Sequence, residues 1–182
     1  MNRRNLVISG TFAMSLTAAM VLHFESSNRV ITEAYLDPVG IPTICDGITK
    51  GVYIGMKVTP EWCAKARENE ITNHSRPLTT VNWDLPDHIK AAFTDLGFNI
   101  GERALSKSTP LRKLKYGDID GACDGILLYK YAGGKDCSIR SNGCYGIWER
   151  RQAERRLCLG ELTVKDAKTI FAGLPIGGEL ME

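Results

Sequence analysis

The first apolar run of the chain is residues 6–22, LVISGTFAMSLTAAMVL, which carries no charge. Beyond it the texture changes. Residues 30–58 are rich in β-branched residues, with turn signals at Asp37-Pro38 and Gly40, and they predict short strands and hairpins. From residue 59 the pattern becomes helical. Thr59-Pro60-Glu61 supplies an N-cap, a first-turn proline and an acid near the helix dipole, which predicts a helix to about Asn73. Pro86-Asp87 opens a second helix, with Ile89, Ala92, Phe93 and Leu96 on one face. Ser108-Thr109-Pro110 opens a short third helix that Gly117 stops. Asp118 caps a fourth, carrying Ile119, Ala122, Cys123 and Ile126. Residues 132–146 are Gly-rich and read as loop. A fifth helix is expected from about Ile147 to Leu159, ended by Gly160, and Thr163 caps a last one to about Ala172. The sum is an α+β fold: a small β-hairpin lobe, then a larger helical lobe, preceded by an apolar helix. A cleft between two such lobes is a common place to hold an extended polymer.

The apolar run follows Arg3 and Arg4, and the pair resembles a secretory signal. It is short for a membrane span, which needs about 20 apolar residues. Ser9, Gly10, Thr11, Ser15 and Thr17 dilute it further. No clear A-x-A cleavage site follows. Three outcomes stay open: a cleaved signal peptide, a permanent anchor, or a signal-anchor held by the membrane potential that later leaves the lipid. Weak hydrophobicity favours the last. Arg3 and Arg4 keep the N-terminus cytoplasmic, which puts the chain from about residue 24 in the periplasm. The expected division is a signal-anchor at 1–23 and one domain at 24–182.

The cysteines agree with export. There are six, an even number, with no CxxC pair, and only three scattered histidines. Disulfides are the better reading than a zinc site. No metal and no cofactor are called for. Six cysteines allow 15 pairings; Cys137 and Cys144 enclose a short loop and are expected to pair locally. The net charge of +2 argues against a nucleic-acid binder. The arginine-rich run 150–156 reads as a solvated helix face instead. Trp62, Trp83 and Trp148 are expected in packing rather than as sugar platforms, and His23, which ends the apolar run, as an interfacial residue.

Several spaced motifs point in one direction. The segment from Ala34 reads AYLDPVGIPTICDGITKGV; Phe98-Asn99-Ile100-Gly101 follows, then Ser108-Thr109 with Leu111-Arg112-Lys113-Leu114 and Gly117-Asp118. Tyr131-Ala132-Gly133-Gly134-Lys135 and Gly146-Ile147 with Arg150-Arg151 and Glu154-Arg155 complete the series. In this order, over roughly residues 24–160, they resemble the phage T4-type lysozymes (glycoside hydrolase family 24), and most closely their signal-arrest-release endolysins. Asp37 and Thr43 have that family's Asp-to-Thr spacing. Ile48 stands where the family often has His.

The resemblance implies a lysozyme-like fold and a muramidase acting on peptidoglycan, with an inactive peptidoglycan binder or a lytic transglycosylase as alternatives. Glycoside hydrolysis needs two carboxyl groups flanking the bond, one protonated and one ionised. Counting back from Asp37 by the usual family spacing lands on Asn28, which has no acid proton to give. Either Glu25 is the general acid and the following loop is longer, or Asn28 replaces a lost acid. The first is favoured. Glu25 is then expected to be partly buried with a raised pKa, Asp37 to orient the attacking water, and Thr43 to hold it. Asn99 resembles a polar substrate contact facing the acid. The resemblance also suggests Cys45–Cys63 and Cys123–Cys158 disulfides. A monomer is expected, held at the periplasmic side of the inner membrane through residues 6–22 and later free in the periplasm. Dependence on a holin is left open.

Overall fold

The computed structural model describes residues 12–26 and 30–162. Asn28, the start of the apolar run, and the helix expected from Thr163 lie outside them.

Helix α1, Phe12–Ser26, is continuous past the expected end of the apolar run. It does not stand apart from the body. Leu16, Ala19 and Met20 belong to the main core, and Ala13, Met14 and Val21 form a second cluster with Ile71. Thr17, also buried, donates its hydroxyl to the Ala13 carbonyl, so its polar group is satisfied inside the helix. Thr17, one of the polar residues that dilute this stretch as a membrane segment, is accommodated in the packed helix in this way. Ser15 is the exposed exception between residues 13 and 22.

The small lobe follows. Strands β1 (Ile31–Leu36) and β2 (Pro42–Cys45) are antiparallel, pairing Ile31 with Cys45, Tyr35 with Thr43 and Leu36 with Pro42 across a bulge. Ile44, Cys45 and Cys63 form its own buried cluster under Ile48, Val52 and Val58. The Cys45–Cys63 disulfide and a buried Arg67–Asp46 ion pair fasten this lobe to helix α2 (Pro60–Ser75). Thr59 caps α2, accepting from the Trp62 amide.

Helix α3 (Asp87–Ile100) is the centre of the large lobe, packing on α1, α2 and the last described helix, Tyr145–Cys158. Ile89 and every residue from Ala91 to Gly97 are buried. Gly97 is required: a Cβ there would stand 2.7 Å from Leu105 Cδ2 and 3.0 Å from the His74 carbonyl oxygen. After α3 come α4 (Glu102–Ser106), α5 (Thr109–Lys115) and α6 (Ile119–Gly125). Ser108 and Asp118 cap the last two, accepting from the Leu111 and Gly121 amides. Trp83 donates its indole N–H to the Leu114 carbonyl at 3.0 Å. Trp62, by contrast, stays exposed on the first turn of α2.

Part of the Gly-rich segment is ordered as a hairpin, β3 (Tyr131–Ala132) and β4 (Lys135–Asp136), turned by Gly133 and Gly134 at φ 53° and 76°. Helix α7, Tyr145–Cys158, closes the described chain, with Gly160 in a left-handed conformation behind it. Cys123–Cys158 ties α6 to α7, and Cys137–Cys144 closes the loop before α7. Together with Cys45–Cys63 these are the three pairs named from the sequence. The architecture is the expected α+β, lysozyme-like one, with the front helix built into the large lobe.

Candidate active site

The last turn of α1 carries Glu25 to the surface of the large lobe, where its side chain is 31% exposed. Its Oε1 accepts from Arg150 Nη1 at 2.5 Å. Arg150 comes from α7 and is buried, and so is its neighbour Arg151. The arginines at 150 and 151 are therefore not a solvated face. The expectation fails because a charged helix face can turn inward when its partners are buried with it. Asp95 on α3 and Glu154 on α7 are both fully buried against them. Only Arg155 and Arg156 fit the solvated reading, Arg155 with Asp124 at 2.7 Å.

The cluster is continuous. Arg150 Nε and Nη2 donate to the two oxygens of Asp95, each at 2.9 Å. Glu154 Oε1 lies 3.5 Å from Arg150 Nε and 3.1 Å from Arg151 Nη2. Arg151 Nη2 donates to Asn99 Oδ1 at 2.8 Å. Three helices thus bring Glu25 and Asn99 onto one network of hydrogen bonds and ion pairs, though sequence reasoning gave a role in the site only to these two of its six members. Asp95 as the one acid in the apolar middle of α3, and Glu154 spaced one turn from Arg150, were the signals available.

Charge in this network is set by burial. Loss of water pushes the Glu154 carboxyl well above the usual carboxylate range; Arg151 and Arg150 oppose that shift and Asp95 adds to it. Neither oxygen of Glu154 accepts a hydrogen bond of good geometry. For Arg150, burial opposes the cation, but Asp95, Glu154 and Glu25 outweigh it and raise its proton affinity. His23, one residue before Phe24, is half-buried, and burial lowers its pKa against the pull of Asp95 and Glu149. It is a packed imidazole, set edge-on to Phe24 with ring centroids 4.8 Å apart.

The other expected residues sit on the hairpin of the small lobe. Asp37 Oδ1 accepts from the Val39 and Ile41 amides at 3.0 and 2.8 Å, which shapes the turn. Thr43 is buried and donates its hydroxyl to the Ile41 carbonyl at 3.0 Å, leaving its oxygen free to accept. The hairpin register places Asp37 and Thr43 at one end of the strand pair. Among the described residues no hydrogen bond or ion pair joins them to Glu25. No group of His, Cys, Asp and Glu among the described residues is arranged to hold a metal.

A small hairpin lobe joined to a larger helical lobe is a lysozyme-like architecture. The phage lysozyme family model matches residues 25–154, and the chain belongs to that family. It is 34% identical to a SAR-endolysin of Enterobacteria phage P21, over 69% of this chain and 73% of that protein. It is 38% identical to a SAR-endolysin of Escherichia phage 933W, over 71% and 77%. A crystal structure of a P22 lysozyme mutant superposes with a TM-score of 0.67 at 31% identity, covering 80% of this chain and 96% of that one. The family implies a glycosidase.

Proposed function

We propose that the chain is an exported muramidase that hydrolyses the β-1,4 bond between N-acetylmuramic acid and N-acetylglucosamine in peptidoglycan, lysing the host for phage release. The observation that carries this reading is Glu25 at the end of α1, partly exposed and held by Arg150 at the residue where the family match begins. Glu25 protonates the leaving glycosidic oxygen. Asp37, ionised, orients the attacking water and supports the oxocarbenium-like transition state. Thr43 holds that water through its hydroxyl, and Asn99 contacts the sugar. Water between two carboxyl groups gives inversion at the anomeric carbon.

Export rests on the same helix. No helix of the described residues is long and apolar enough to cross a membrane, and α1 lies in the protein core. The reading therefore requires two arrangements of residues 6–22. In one the stretch is held in the inner membrane by the membrane potential, and Glu25 is pressed against the bilayer. In the other the stretch has left the lipid and its residues from Phe12 on pack as part of α1. The SAR-endolysin relatives support it. A holin that depolarises the membrane would be the trigger.

The test uses the full purified chain on peptidoglycan, because removing residues 12–23 would take Leu16, Ala19 and Met20 out of the core. New N-acetylmuramic acid reducing ends are expected. Anhydro-sugar ends would make it a transglycosylase, and binding without new ends would make it a binder. An intact N-terminus on the periplasmic protein is expected; a chain starting after about residue 18 would mean a cleaved signal.

A further inference from the structure

A general acid touching an arginine is a chemical conflict, because a cation a few ångströms away favours the carboxylate over the acid. We propose that Asp95 is a positioning residue that resolves it: Asp95 serves as the counter-ion of Arg150 and leaves Glu25 free to carry the proton it donates. This rests on Glu25 as the acid.

The geometry divides Arg150 unequally. Asp95 takes its side edge through two N–H groups, Nε and Nη2, on two separate oxygens at 2.9 Å each. The Asp95 backbone carbonyl accepts a third, longer contact from Nη2 at 3.5 Å. Glu25 receives one N–H, from Nη1. A side-on fork of this kind is the strong form of the arginine–carboxylate pair. It lies in a site where Arg150 is 3% and Asp95 0% exposed, so water does not share the charge. Glu25, by contrast, is partly open to solvent.

The remaining charged groups around the pair do not take over this role. Glu154 Oε1 stands 3.5 Å from Arg150 Nε, beyond the 2.9 Å of each Asp95 contact, and burial pushes its carboxyl well above the usual carboxylate range, which weakens its hold on Arg150 relative to Asp95. Arg151 is turned to Glu154 and to Asn99 Oδ1. His23 on α1 is half-buried, and burial disfavours its cationic form against the pull of Asp95 and Glu149. Phe24 places its ring near the Arg150 guanidinium, 5.4 Å from centroid to Cζ, and adds no formal charge. Asp95 is therefore the anion that balances Arg150 from inside the protein. Without it the full charge of Arg150 falls on Glu25 and holds that group as a carboxylate to lower pH.

Titration of the Glu25 carboxyl by 13C NMR in the full chain tests this, with the Glu25→Gln spectrum as assignment. In Asp95→Asn, which keeps the side-chain shape, the midpoint is expected to fall by about one pH unit or more. The alkaline limb of kcat/KM on peptidoglycan should move with it. Glu154→Gln should leave the midpoint in place. An unmoved midpoint in Asp95→Asn overturns the proposal, as does an equal fall in Glu154→Gln. A midpoint that falls while the alkaline limb stays put supports Asp95 as the counter-ion and removes Glu25 as the acid. If Asp95→Asn does not fold, Arg150 Nε–H exchange is compared between the wild type and Glu25→Gln. Protection that survives Glu25→Gln supports Asp95 as the holder, and its loss overturns it.

Discussion

Asp95 and Arg150 are locked side-on across the α3–α7 interface, with Nε and Nη2 each 2.9 Å from a different carboxylate oxygen. Both side chains are buried, so the pair is an all-or-none structural element. Removing one member strands the other's charge in a site without water.

Arg150→Met is expected to cost about 3–5 kcal/mol of folding stability, the range for breaking a buried ion pair. Urea unfolding monitored by tryptophan fluorescence measures it. A loss below ~1 kcal/mol would place Arg150 with exposed pairs, contrary to its burial.

Glu154 sets a pH dependence. Its carboxyl is pushed above its ordinary value by burial, so the folded state binds a proton that the unfolded state has released. Its contribution is fully present below the unfolded carboxyl pKa and is lost as pH rises through the raised folded value. Glu154→Gln, which cannot ionise, should gain stability relative to the wild type as pH rises above that unfolded value. Thermal unfolding of both proteins across pH 4–8 reads the slope, and a constant difference would mean that Glu154 is ionised when buried.

Ser15 separates the two lives of the apolar stretch. It is exposed on α1, so Ser15→Leu costs the folded protein little packing, while in a bilayer the same change makes the segment more apolar. Purified Ser15→Leu should cleave peptidoglycan at the wild-type rate. In cells, release from the membrane fraction after depolarisation should be slower. Equal release kinetics would disconnect the hydrophobicity of this stretch from its hold on lipid.

Local signals were legible where chemistry is local. The caps at Thr59, Ser108 and Asp118 each accept the amide that their helix leaves open, and Gly160 stands beyond the end of α7. The motif order disclosed the family. The ionic cluster was not legible, because Asp95 and Arg150 are 55 positions apart and only the packing of α7 on α3 joins them. An arginine-rich helix also looks the same in sequence whether its charges meet water or buried carboxylates. The five-residue helix α4 carries too few apolar positions to show a period. The fate of α1 was half visible: its composition suits both lipid and core, and only the structure shows Ala19 and Met20 wholly enclosed.

The most direct measurement is the rate at which full-length Glu25→Gln releases reducing ends from purified peptidoglycan. A fall of roughly 10²–10⁴-fold is expected, the range for losing a general acid, with thermal stability close to wild type because Glu25 is partly exposed. Full activity in Glu25→Gln would contradict the account and move the proton donor off helix α1.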